Sequence, residues 1–143
     1  MTITDPLSRL VSLLGSSLAM YVSDAGIWSY PGDEEIKLAL ADLVGDQRNI
    51  VERAGCILED RNVDVPRHAY PIRFTATHDL DLRSLLPRIS TELRGQVAAL
   101  DGIIAAGGPD AAALELAREA RVSTLSHADV LDQLLTRSRS TAS

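Results

Sequence analysis

Apolar residues recur along most of the chain at the three- and four-residue spacing of a helix that buries one face, and four such stripes can be traced. The first opens at Asp5-Pro6, an N-cap followed by a proline at the first helical position, and continues through Leu7, Leu10, Val11, Leu14, Leu18, Tyr21, Val22 and Ala25 to about Trp28. Tyr30-Pro31-Gly32 breaks the chain, and Asp33, Glu34 and Glu35 bring a cap and negative charge to the next N-terminus. The second stripe is Ile36, Leu40, Leu43, Gln47, Ile50, Ala54, Ile57 and Leu58, ending near Arg61-Asn62. A third helix, capped by Asp79 or a neighbour, carries Leu82, Leu85, Leu86, Ile89, Glu92, Leu93, Gln96, Leu100 and Ile103. Its Pro87 falls in the second turn, where it removes one backbone hydrogen bond and predicts a slight bend. Gly107-Gly108-Pro109-Asp110 ends this helix and starts a fourth, striped by Ala113, Ala117, Ala120, Thr124, His127, Leu131 and Leu134. Residues 1–136 thus read as one helical domain, with 137–143 a short polar tail that frays.

The lengths of the connections select a topology. Breaks around Tyr30 to Asp33 and Gly107 to Asp110 are short, so the first and second helices, and the third and fourth, are antiparallel neighbours. The stretch from Val63 to Asp79 could span about 55 Å if extended, more than the length of about 42 Å for a helix from Glu34 to Arg61. It can therefore return along the whole bundle and leave the second and third helices parallel. Pro66 and Pro71 favour extended backbone there, and Val65, Tyr70, Ile72 and Phe74 offer apolar side chains to lay on the helices.

Composition narrows the function classes. At 143 residues the chain can complete one core without a metal or disulfide. Its 14 basic and 20 acidic residues give a net charge of -6, which argues against nucleic acid as a partner. The lone Cys56 cannot form an internal disulfide and reads as a small buried hydrophobe in a reducing compartment. Leu10 to Met20 has the apolar character of a signal-peptide core, but its N-terminal flank holds Asp5 and only Arg9 as a basic residue. No stretch reaches the run of about 18 apolar residues that a membrane span needs, so the expectation is a cytoplasmic protein with no membrane partner.

The segments Tyr21 to Ala25, Pro31 to Glu35, Asp46 to Arg53 and Phe74 to Pro87, with a histidine on the last helix, resemble a small bacterial member of the ferritin-like superfamily. The resemblance covers nearly the whole chain and implies an all-α, up-down-down-up four-helix bundle with one long crossover between its second and third helices. Di-iron members of that superfamily carry a Glu on the first helix, Glu-x-x-His on the second, a Glu on the third and Glu-x-x-His on the fourth. Here the matching positions of the second helix hold Gln47 and Ile50, and the fourth holds Thr124 and His127. The first helix has no acidic residue between Asp5 and Asp24. Only Glu92 and His127 remain as candidate ligands, too few to balance two hard cations, so no di-iron chemistry and no cofactor is expected.

An inward Glu92 facing an inward His127 predicts a hydrogen-bonded pair within an interior polar network of Gln47, Glu92, Gln96, Thr124 and His127. The alternative reading of the same residues is a mononuclear metal or small-polar-ligand site. A weaker metal candidate is His78 with Asp79, beside Asp81 and near His68, although an Asp at a helix start is first of all a cap. Glu115, Arg118, Glu119 and Arg121 read as a solvated face paired within the fourth helix. A second apolar row on the first helix, Leu13, Met20 and Ile27, together with Trp28 and Leu38, predicts the interface of a symmetric homodimer. The functional expectation is a metal-free structural or protein-interaction module whose protein partner the sequence does not identify.

Overall fold

The computed structural model describes residues 5–25, 33–66, 70–106 and 108–141, with the side chains of all of these except 76–79 and 138–141. Every regular element among them is helical: α1 (Pro6–Gly15), α2 (Leu18–Ala25), α3 (Glu34–Asp60), a 3-10 segment (Ile72–Asp79), α4 (Leu82–Ala106) and α5 (Ala111–Thr141). None of these helices is long and apolar enough to cross a membrane.

The first predicted helix is two helices. Gly15, Ser16 and Ser17 follow one another, and glycine and serine are poor helix-interior residues because one is flexible and the other offers the backbone competing hydrogen bonds. Ser16 Oγ donates to the Ser12 carbonyl at 2.5 Å, α1 stops, and Ser17 begins α2 as its cap, Oγ accepting the Met20 N–H at 3.2 Å. At its other end α1 starts as predicted, the Asp5 carboxylate taking the N–H groups of Leu7 and Ser8. The short connection before α3, with Tyr30, Pro31 and Gly32, lies outside the described residues.

Side-chain pairs fix the helix directions. Arg61, just past the end of α3, holds Asp110 at the start of α5 through two hydrogen bonds of 2.9 and 3.1 Å, and Arg137 near the end of α5 reaches Glu35 in the first turn of α3 at 2.9 Å. These two helices are antiparallel. So are α4 and α5, joined by Arg121 to Asp101 at one end and by Ser90 and Arg94 to Asp132 at the other. Arg83 in the first turn of α4 meets Asp33 at 2.9 Å, which brings the N-termini of α3 and α4 together and makes those helices parallel. Asp33 itself is almost fully buried and makes no capping hydrogen bond, contrary to its predicted role; its carboxylate serves the α4 contact instead. Asp81 caps α4, taking the Ser84 N–H at 3.1 Å, and α4 continues through Pro87.

The crossover between α3 and α4 is partly helical rather than extended. Phe74 is buried against α2, α3 and α4, and Tyr21, Tyr70 and Phe74 form a cluster with ring centroids 5.2 to 6.4 Å apart. The Tyr70 hydroxyl donates to Asp24 at 2.6 Å, and burial together with that bond pushes its pKa up to about 12. Val65 packs over Gly55. Ile72, expected on the helices, is 87% exposed, because the 3-10 turn that seats Phe74 directs it to solvent.

The core is divided along the bundle. One apolar cluster joins α2, the first half of α3, Phe74, the first half of α4 and the last turns of α5; the other joins α1, the second half of α3, the end of α4 and the start of α5. Each fully buried Leu, such as Leu10, Leu43, Leu85 or Leu100, contributes roughly 1.5–3 kcal/mol by leaving water.

Several surface expectations change. The predicted fraying tail is helical to Thr141, its start anchored by Arg137. Cys56 is exposed rather than buried, since Ala54 and Leu58 take the inward face of that turn. Glu119 and Arg121 pair across helices, with Arg53 and Asp101, rather than along α5. Met20 is 5% exposed and belongs to the core, contrary to the predicted outer row, while Leu13 is half-buried and packs partly against the other cluster. Ile27 and Trp28 lie outside the described residues, and Leu38 is 67% exposed.

Candidate functional site

Between the two apolar clusters lies a polar layer to which α3, α4, α5 and the α1/α2 break each contribute. Ser17 comes from the break, Gln47 from α3 between Val44 and Ile50, Gln96 from α4 between Leu93 and Leu100, and Thr124 from α5 between Ala120 and Ala128. All four are buried. Periodicity turns Gln47, Gln96 and Thr124 inward, because each occupies a stripe position roughly one turn from apolar neighbours on both sides, while Ser17 enters from the break.

The layer is a connected hydrogen-bond chain. Ser17 Oγ donates to Gln47 Oε1 at 2.8 Å, Gln47 Nε2 donates to Gln96 Oε1 at 3.2 Å, and Gln96 Nε2 donates to Glu92 Oε1 at 3.4 Å. The same Glu92 oxygen accepts the backbone N–H of Leu18 at 2.6 Å. Leu18 is the first residue of α2, so its N–H has no partner within its own helix. Glu92 therefore supplies, from α4, both the acceptor and the negative charge that this helix terminus favours. Burial raises the Glu92 pKa, and the Leu18 N–H and the charge of Arg73 act in the opposite direction. Thr124 turns back on its own helix, Oγ1 donating to the Ala120 carbonyl at 2.7 Å. Among the described residues, no buried side-chain nitrogen or oxygen lacks a hydrogen-bond partner.

Glu92 and His127 do not pair. His127 sits at the edge of the α5 stripe, beside the fully inward Ala128, and its Nε2 lies 2.6 Å from Asp46 Oδ2 on the outer side of α3. Ser123 Oγ donates to the same carboxylate oxygen at 3.3 Å, and Asp46, Glu119, Val122, Ser123, Ser126 and His127 line an open surface cleft of about 560 Å³. The interior network thus contains Gln47, Glu92 and Gln96, with Thr124 at the same level but bonded within α5, and His127, its side chain 14% exposed, pairs with Asp46 instead of joining it. Ser17 was missed by the sequence reading. Its signal was present in the Gly15-Ser16-Ser17 run, three consecutive residues that weaken a helix.

The side chains at this level do not fit a di-iron centre. The Gln47 amide is committed on both sides, Ile50 is a buried hydrocarbon, the Thr124 hydroxyl is bonded to backbone, and the imidazole of His127 is turned toward Asp46. Among the described residues no group of three or more His, Cys, Asp or Glu side chains is placed to hold a metal ion. The side chains of His78 and Asp79, and all of His68, lie outside the described residues. No family model matches this chain, and comparison with curated proteins and with solved structures likewise returns no match.

Proposed function

We propose that the chain is a ferritin-like helical bundle without di-iron chemistry, acting as a structural or protein-interaction module. The observation that carries this reading is the connected polar layer: at the level where the resemblance would put metal ligands, Ser17, Gln47, Gln96 and the Oε1 atom of Glu92 are hydrogen-bonded to one another and to the Leu18 N–H. The parallel arrangement of α3 and α4 with a long crossover between them supports the ferritin-like topology, with the first helix of that topology represented by α1 and α2 together. A buried polar layer of this kind suits a structural role, because a helix that slid along the bundle would leave amides facing hydrocarbon. Exposed Val122, Leu125 and Val130 on α5 are consistent with an interaction surface.

A shared metal or ligand site built on both Glu92 and His127 loses its basis, since the two residues bond in different directions. The test is elemental analysis of untagged protein produced in medium supplemented with iron, manganese and zinc, together with melting curves in the presence and absence of a chelator. Substoichiometric metal and superimposable melts support the proposal. About one metal ion per chain, or a melt lowered by the chelator, overturns it.

A further inference from the structure

A second cleft, of about 400 Å³, opens beside the polar layer and is lined by Leu18, Arg73, Phe74, Arg88, Thr91 and Glu92. That volume lies in the range of roughly 300–1,000 Å³ typical of small-molecule sites. Its floor is unusual in one respect. Both hydrogen bonds of Glu92 go to Oε1, from Leu18 and from Gln96, and Oε2 makes none among the described residues. Because no partnerless side-chain oxygen is buried, Oε2 must be open to the cleft. It is held in place by the fixed Oε1 and is an acceptor without a donor.

The rim supplies the opposite chemistry. Neither Arg88 nor Arg73 has an ion-pair partner among the described residues, and the Arg73 guanidinium lies 5.2 Å from the centre of the Phe74 ring. One acceptor oxygen, two arginine side chains and the apolar surface of Leu18 and Phe74 thus line one space. A donor group, preferably cationic, satisfies Oε2; an anionic oxygen pair satisfies the guanidinium forks; an apolar substituent covers the hydrocarbon wall.

We propose that this cleft binds a small zwitterion of the amino-acid type, its ammonium on Glu92 Oε2, its carboxylate between Arg73 and Arg88, and an apolar side chain against Leu18 and Phe74. The site shares Glu92 with the polar layer but uses the oxygen that the layer leaves free, so its failure leaves the layer's hydrogen bonds and the metal content unaffected.

Isothermal titration calorimetry of the full chain with L-leucine and L-phenylalanine at millimolar concentration tests it, with leucinamide lacking the carboxylate and 4-methylpentanoate lacking the ammonium as comparisons. The expected result is binding of at least one amino acid, weakened about ten-fold or more by removing either charged group from the ligand, and by the same order in Arg88→Ala and Glu92→Gln. The Gln variant keeps an oxygen for the Leu18 N–H, and Arg88 is exposed, so the second variant stays informative if the first is poorly folded. Absence of binding to either amino acid overturns the proposal, as does binding that 4-methylpentanoate or leucinamide matches, or that both variants leave unchanged.

Discussion

The carboxylate of Glu92 closes the N-terminus of a helix to which it does not belong, its Oε1 lying 2.6 Å from the backbone nitrogen of Leu18. That contact explains how the bundle tolerates an interrupted first helix. Ending α1 at Gly15 leaves the first N–H groups of α2 inside the protein, where an unmet donor is costly. Ser17 answers one of them locally and Glu92 answers another from across the core.

Removing the Glu92 acceptor is therefore more damaging than removing its charge. Glu92→Ala leaves the Leu18 N–H without its partner and should lower stability by about 1–3 kcal/mol, whereas Glu92→Gln retains an oxygen at the same reach and should cost less than about 1 kcal/mol. Urea unfolding of both variants checks this. Equal losses would mean that the Leu18 contact contributes nothing particular.

Glu92 also gives stability a recognisable pH dependence. Burial raises its pKa above the ordinary 4.5, so the folded chain holds this proton at pH values where the unfolded chain has released it. Its favourable contribution is complete below pH 4.5 and is lost as pH rises through the folded-state value. Asp110 and Glu119 act with the opposite sign, since their hydrogen bonds to Arg61 and Arg53 lower their pKa values and their contributions are lost as pH falls. Subtracting the curve for Glu92→Gln from that of the wild type isolates the first effect. The difference should decline as pH is raised above 4.5 and then level off; a difference that grows with pH would contradict the burial argument.

The two glutamines of the polar layer should behave as a unit. Gln47→Leu strands the Ser17 hydroxyl and the Gln96 carbonyl, and a loss of about 1–3 kcal/mol is expected. Adding Gln96→Leu removes one of those stranded groups, so the double variant should be more stable than the sum of the single losses predicts, by about 0.5 kcal/mol or more. Strict additivity in a denaturation cycle would show that the amides do not depend on one another.

The long helices were legible because their stripes repeat over many turns: Ile36 to Leu58 and Leu82 to Ile103 face the core much as spacing alone requires. Gln47, Gln96 and Thr124 were legible for the same reason, as polar residues at apolar stripe positions. What periodicity could not carry was anything that depended on its continuity. The break at Ser16 and Ser17 resets the helical phase, so Met20, read as an outer row by counting from Leu13, turns into the core. His127 was misplaced by a smaller error. It lies three residues after Thr124 and one before Ala128, at the edge of the buried arc, where a long side chain reaches Asp46 more readily than the axis of the bundle. Cross-helix partners such as Arg53 with Glu119 have no local signature and emerge only when the helices pack.

The crossover offers the sharpest contrast between neighbouring residues. Phe74 is 5% exposed and contacts Tyr21 and Tyr70, while Ile72, two positions earlier and equally apolar, is 87% exposed. Hydropathy alone would rank their losses together; the 3-10 turn ranks them apart. Phe74→Ala empties a site in the core cluster and should cost about 3–5 kcal/mol. Ile72→Ser should change stability by less than about 0.5 kcal/mol, because the side chain is in water before and after folding. Thermal unfolding ranks the variants, and amide exchange of residues 70–75 locates the effect. Phe74→Ala should accelerate exchange there first, since the segment is held to α2 through that ring and through the Tyr70 bond to Asp24. Two variants of similar stability would show that Phe74 does not anchor the crossover, and the parallel course of α3 and α4 would then rest on Arg83 and Asp33 without its help.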